Sequence, residues 1–406
     1  MRAPPKTSTD ARQLAHRALS VTEHRGLAGL DRLESDWRRL YAEMPLRTGF
    51  HAYEFHRAYV LYFVPEPDKL RCLTVVADGV VTAICPLEVD PTATRLLGLP
   101  VNVWRVTEPL NYPSGDVICA RDDVCRSLIP VLTRHLRRDA EGGRLLVLGP
   151  APEDSTLWDG LADLTTLTYC TTFTTAHVFN CSRPFEQLMA DLPRKYTSDL
   201  RRRRRRLDSL ADIEFVTVTG KAKLTTELET FFDLEASGWK GVPGSGGAIG
   251  LREPQPDVYR DLFTRMDGED DRCEINVLYA EGHAIASLLC MRTGCEYSIL
   301  KTAYDEGYSR LAPGLLLLQY TLEGCCNDPR ITRVNMVSHP AWLVPWRPDT
   351  VVMKQAYVAL GRWSGPPLIA LLRLRFGYAL RVARWLRTKR DARKRHRLRS
   401  PHPARE

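Results

Sequence analysis

Three scarcities narrow what this chain can be. No two of its eleven cysteines stand in CxxC spacing, and an odd count closes no full set of disulfides. The sequence therefore predicts reduced, mostly buried thiols and no structural metal. No apolar run approaches the roughly 18 residues that cross a bilayer; the nearest, PPLIALL at 366–372, is far too short. The opening MRAPPKTSTDARQLAHRALS lacks the apolar core of a secretory peptide. Together these features predict a cytoplasmic protein. Acidic residues are scarce at one end only. Over 373–406, thirteen Lys or Arg face Asp391 and Glu406 alone, so that stretch carries +11 of a whole-chain +8 and leaves the rest at −3. The basic character belongs to the tail.

What is present reads as globular: 406 residues, 44% hydrophobic and 26% charged, enough for two or three domains. After a polar leader (1–20), Leu30, Leu33, Trp37, Leu40 and Tyr41 recur at helical spacing within 27–44, and a second helix is expected over 54–63. LRCLTVVADGVVTAICPLEV (70–89) predicts two strands joined at Asp78-Gly79, since glycine accepts the positive φ of a tight hairpin. A helix near 121–138 and a strand at 144–149 complete a mixed α/β unit. The second half repeats the plan, with a helix over 184–210, a strand at 213–219, a helix over 224–239 and a hairpin turned at Glu281-Gly282. Superposing VVADGVVTA on LYAEGHAIA matches Ala77, Asp78, Gly79 and Ala83 with Ala280, Glu281, Gly282 and Ala286. Its shared place after paired helices predicts a duplicated α/β domain, 21–178 and 179–365, followed by a basic amphipathic tail, 366–406.

The glycine-rich ASGWKGVPGSGGAIG (236–250) invites comparison with a phosphate loop. Such a loop runs from a strand through glycines into a helix. Here the glycines leave a helix, and prolines follow them, so the segment reads as a connection. A better anion site lies in CEYSILKTAYDEGYSRLAPGLLLLQYTLEGC (295–325), a strand, a polar turn and a helix. Pro313 suits a first helical turn, and Gly314 carries no side chain. The amides of Gly314, Leu315 and Leu316, with the helix dipole, would favour a diphosphate, and Arg310 adds a cation. A plain strand-to-helix turn is the competing reading.

Taken together, EASGWKG (235–241), the arginine-rich helix before a strand, and AYDEGYSRLAPGLLLL (303–318) resemble one family. It is the cellulose-biosynthesis and exopolysaccharide-type acetyltransferase family, a branch of the GNAT (N-acetyltransferase) fold, which in turn resembles the Fem-type peptidoglycan aminoacyltransferases with their two tandem domains. The resemblance is clear over 184–340 and fainter over 27–150, where NYPSGD (111–116) occupies a similar turn. It implies tandem GNAT-like domains. It also implies acetyl-CoA or another acyl-CoA at Ala312, Pro313 and Gly314, with the acyl group between splayed central strands. The wider fold's diphosphate loop survives only as Arg310-Leu-Ala-Pro-Gly314. Glu235, Trp239 and Lys240, in the shared signature, are expected on the acceptor side.

Acyl transfer from a thioester needs a held donor, a deprotonated acceptor and a stabilised oxyanion. Lys301, Tyr304 and Asp305, at a strand end, and His339, after the next strand, are the candidates. His339 titrates in the range of a general base, and Tyr304 could protonate the departing thiolate. Each also has a plain structural reading, as a packed or capping side chain. In RRRRRR (201–206) the arginines interrupt an apolar stripe of Leu192, Tyr196, Leu200, Leu207 and Leu210. Most must face solvent, while Arg203 or Arg204 could reach a phosphate or carboxylate.

In the tail, Leu368, Leu371, Leu372, Ala379, Val382, Trp385 and Leu386 gather on one helical side among arginines. That is the profile of a helix lying on an anionic membrane surface, here the inner face. Contact with nucleic acid, or packing on the domain, would use the same residues. The expected function is transfer of an acyl group from CoA to an amine or hydroxyl of a saccharide, lipid or amino-acid-derived acceptor, in exopolysaccharide or envelope biosynthesis. The alternatives are a tRNA-dependent aminoacyltransferase of the Fem type and a non-catalytic accessory protein of envelope assembly.

Overall fold

Both glycine turns form the hairpins their sequences require. Asp78 (φ 52°) and Gly79 (φ 79°) join β2 (Leu70–Ala77) to β3 (Val80–Leu96), and Glu281 (φ 50°) and Gly282 (φ 75°) join β9 (Asp271–Ala280) to β10 (His283–Thr293). Two successive left-handed residues match the twist of the strands they link. The computed structural model describes residues 19–376 apart from 45–46, 65, 97–98, 109, 111, 113–114, 121, 139–143, 244–246 and 362–363.

Each hairpin sits at the same place in a repeated order of elements. The first half runs β1 (Ser20–Arg25), helices α1 (Gly26–Asp31), α2 (Glu34–Glu43) and α3 (Tyr53–Phe63), then β2, β3, β4 (Leu99–Val106), the short β5 (Ile118–Cys119), α4 (Asp122–Leu136), β6 (Leu145–Pro152) and β7 (Thr168–Asn180). After α5 (Phe185–Ala190) and α6 (Arg194–Asp208), the second half runs β8 (Ile213–Val218), α7 (Lys221–Ser237), α8 (Gln255–Arg265), β9, β10, β11 (Glu296–Tyr304), α9 (Pro313–Asn327), β12 (Arg333–Asn335) and β13 (Asp349–Ala359). The duplication is thus a property of the chain's topology as well as of its two hairpins.

The strands form one mixed sheet in the order β1-β2-β3-β4-β6-β13-β7-β12-β11-β10-β9-β8, with β5 against β3. Two neighbours are parallel, β4 with β6 and β11 with β12, one pair per half. The last strands are exchanged: β7 of the first half pairs with β12, and β13 of the second pairs with β6. They also pair with each other along most of their length, from Asp349 with Val178 to Val358 with Thr168. The division expected at 178/179 falls inside β7.

One face of the sheet carries a core shared by both halves, with Trp37 and Phe55 from the first and Phe231, Tyr259 and Phe263 from the second. On the other face α4 covers the first half and α9 the second. Tyr112 links the halves: its hydroxyl lies 2.6 Å from that of Tyr259 and donates to the Leu300 carbonyl at 3.3 Å, all buried. Tyr112→Phe should lower unfolding stability by about 1 kcal/mol, read as a lower urea midpoint with unchanged slope.

Several sequence expectations need correction. The helix expected over 184–210 is two helices, parted at Asp191–Pro193, and Leu210 lies beyond the second one, largely exposed at 62%. In the tail, a helix over 365–376 packs on the sheet: Ile369 and Leu372 are buried with Val103, Leu145, Val147 and Tyr357, and Leu368 and Leu371 lean on the same cluster. Arg373 donates to the Thr168 carbonyl at 3.1 Å, and Phe376 stacks on Tyr357. These leucines meet protein, the third of the readings open to them. Ala379, Val382, Trp385 and Leu386 lie outside the described residues. Among the described residues no helix is long and apolar enough to cross a membrane.

Candidate active site

Where β11 leaves β12, the sheet opens. The two strands pair only over 296–298 and 333–335. Beyond Asn335 the chain keeps to β7, with the Met336 N–H donating to the His177 carbonyl and the His177 N–H to that of Ser338, each at 2.9 Å. The C-terminal part of β11 follows β10 instead. The wedge between them is a cavity of about 280 Å³, lined by Thr302, Ala303 and Tyr304 of β11, Ser309 and residues 312–315 of the following turn, Met336 and Trp342.

The turn into α9 sits at its mouth. Ala312 is left-handed (φ 52°, ψ 56°), which points its carbonyl into the first turn of the helix. That carbonyl accepts from both Leu315 and Leu316, at 3.0 and 3.2 Å. Of the three amides expected to be free, two are therefore engaged. Among the described residues no backbone acceptor meets the Gly314 N–H. A Cβ there would find nothing nearer than Tyr304 Cδ1 at 4.0 Å, so the approach is open. Pro313 starts the helix without an N–H to satisfy. Arg310 is exposed, and its guanidinium is unpaired among the described residues. One free amide at a helix N-terminus and an exposed guanidinium thus stand beside an apolar cavity.

Arg203, expected to reach a ligand, is committed elsewhere. It pairs with Asp199 at 2.7 Å and donates to the Arg310 carbonyl at 2.8 Å, which fixes α6 against the turn. Arg204 stacks on Phe215, 4.5 Å from the ring centre, and pairs with Asp208. Tyr304 is part-exposed and lines the cavity. Asp305 turns back to accept the Gly307 N–H at 2.7 Å, capping the turn that follows β11. His339 does not line the cavity. Its Nδ1 lies 2.9 Å from the Thr175 carbonyl, so the ring donates to β7.

The signature at the end of α7 forms a brace. Glu235 is 2% exposed. One carboxylate oxygen takes the Lys240 ammonium at 2.8 Å, and the other takes the Ile249 N–H at 2.7 Å. Lys240 also donates to the Thr302 carbonyl at 2.8 Å, so the pair ties the glycine-rich connection to the strand that lines the cavity. The Trp239 side chain is exposed, and its backbone N–H donates to Glu306 Oε1 at 2.8 Å. Beside this brace Lys301 lies over the Tyr112 ring, 5.5 Å from its centre. Burial lowers its pKa from the ordinary lysine value, with Glu235 opposing and Lys240 and Arg252 adding to the effect. Ser309 and Trp342, both in the cavity wall, carried no signal in the sequence; their place follows from the splay of strands far apart in the chain.

Residues 194–339 match the family described as Acetyltransferase (GNAT) domain. No curated protein sequence matches the chain. Among solved structures, FemX superposes with a TM-score of 0.56 at 11% identity, over 83% of this chain and 98% of that one. The C-terminal DUF2156 domain of an Agrobacterium fabrum protein named as a lysylphosphatidylglycerol synthetase gives 0.51 at 10% identity, over 86% and 97%. At these identities the likeness is one of fold. The match falls within the second half, and the first half repeats its order of elements, so the fold is a tandem GNAT-like α/β arrangement on one mixed sheet.

Proposed function

We propose that the second half transfers an acyl group from an acyl-CoA thioester, with acetyl the simplest donor, to an amine of a saccharide, lipid or amino-acid-derived acceptor in envelope biosynthesis. The observation that supports it most directly is the opening of β11 from β12 beside the free Gly314 amide: an anion site at the mouth of a mostly apolar wedge. CoA is a diphosphate with a long neutral arm, and this geometry suits both parts. Arg310 and Gly314 would hold the diphosphate, and the arm would run along Thr302, Ala303 and Met336 with Trp342 covering it.

In this reading the acceptor amine attacks the thioester carbonyl from the Lys301 side of β11. Lys301, made less basic by its surroundings, takes the proton that the amine loses. Tyr304 donates to the sulfur as the carbon–sulfur bond breaks, giving an amide and free CoA. Calorimetry with acetyl-CoA tests donor binding; absence of binding would remove the proposal. If Tyr304 is the acid, Tyr304→Phe should lower kcat about a hundredfold with little change in KM. The rate should rise with pH through the depressed pKa of Lys301, because the neutral amine is the base, and Lys301→Met should abolish that limb of the profile.

A charged tRNA as donor has one observation in its favour: the exposed face of α6, with Arg201, Arg205 and Arg206, lies beside the same turn. Competition between acetyl-CoA and aminoacyl-tRNA for the protein separates the two donors.

A further inference from the structure

Behind the donor cavity lies a second one, on the opposite face of β12. Side chains alternate across an extended segment. Met336 lines the donor cavity, whereas its neighbours Asn335 and Val337 line a cavity of about 160 Å³, mostly apolar with a cluster of charged and polar groups in its wall. Both halves of the molecule build it, the first through His51, Asp116 and Ser155 and the second through Glu296, Arg333 and Asn335.

Its charge is one-sided. Glu296 is almost wholly buried, pairs with Arg333, and accepts from Ser298 Oγ at 2.9 Å and Asn335 Nδ2 at 3.2 Å. Asp116 accepts from Ser155 Oγ at 2.9 Å and from the Val117 N–H at 2.8 Å. With Asp154 at the mouth, three carboxylates face one guanidinium. Such a lining favours a cation over an anion.

His51 adds a directed donor. It is 6% exposed, and its Nδ1 receives the Thr48 N–H at 3.2 Å, which leaves the proton of the neutral ring on Nε2. Burial favours that neutral form, against the fields of Asp116 and Glu296. Among the described residues Nε2 has no protein partner, so its N–H is available to a group in the cavity that His51 lines.

We propose that this junction cavity binds an amino-alcohol group, an ammonium flanked by hydroxyls as in an amino sugar. The carboxylates of Asp116 and Glu296 take the ammonium and His51 Nε2–H donates to a hydroxyl. That the bound group is a part of the acceptor other than the amine that is acylated rests on the transferase reading; the binding itself does not.

The test is calorimetry on the full chain with glucosamine, with glucose as the uncharged control and acetyl-CoA in a separate titration. Glucosamine should bind at least about tenfold more tightly than glucose, the scale of one charge-assisted hydrogen bond. Asp116→Asn and His51→Gln should each weaken it about tenfold while acetyl-CoA binding persists. Val351→Phe, which fills the cavity without removing a polar group, should abolish it and guards against a folding effect of the other two. Equal binding of glucose and glucosamine, or glucosamine binding indifferent to all three variants, overturns the proposal. Glucosamine binding without acetyl-CoA binding would keep this site and remove the transferase reading; the converse would do the opposite.

Discussion

Gly314→Glu is expected to abolish acyl-CoA binding while leaving the protein folded. The position has room, since a Cβ would meet nothing nearer than 4.0 Å, so the longer side chain need not disturb the core. It would set a carboxylate at the one free amide of the turn and opposite the diphosphate. Like charges brought together at a binding surface cost several kcal/mol, which is a loss of at least about a hundredfold in affinity. Gly314→Ala is the control: it lies in the first turn of a helix and should raise stability slightly, so any loss of binding in the glutamate variant can be assigned to charge. Calorimetry gives the affinity and thermal unfolding the integrity. Unchanged acetyl-CoA affinity in Gly314→Glu would place the diphosphate elsewhere.

The second large effect is on stability. Lys240→Met removes the cation from a carboxylate that is 2% exposed and leaves Glu235 with the Ile249 N–H. A buried charge deprived of its partner costs about 3 kcal/mol or more, a large share of what holds a protein together. The urea midpoint should fall accordingly. In the double variant Glu235→Gln with Lys240→Met, no charge is stranded, and much of the loss should return. If the single variant is as stable as the parent, the brace carries no weight. Because Lys240 also holds the Thr302 carbonyl, the single variant should loosen the cavity wall and weaken donor binding as well.

The parts of the fold legible in the sequence were those set by local chemistry. Positive-φ turns at Asp78-Gly79 and Glu281-Gly282, apolar spacing in 27–44 and Pro313 at a helix start each fix a short stretch of backbone regardless of what lies around it. The long β7 and β13 escaped notice for the opposite reason. Threonines fill TYCTTFTTAHVFN, β7 alternates buried and exposed positions only weakly, and both its neighbours come from distant sequence. The candidate site divided in the same way. The turn from Arg310 to Leu315 could be read from one segment, and the structure sets it at a cavity. Roles for Lys240, Arg203, Asp305 and His339 depended on which neighbour each side chain would find. Lys240 and Arg203 found the protein's own backbone and carboxylates, Asp305 found the backbone, and His339 found the backbone and the edge of the His177 ring.

The exchange of β7 and β13 between the halves has a consequence for dissection. A fragment ending after β7 would carry a strand whose partners, β12 and β13, are both missing, and its own β6 would be left with an open edge. The complementary fragment would suffer the mirror-image defect. Neither piece should be soluble by itself, yet the two produced together in one cell should find each other and restore a single particle, as split reporters do.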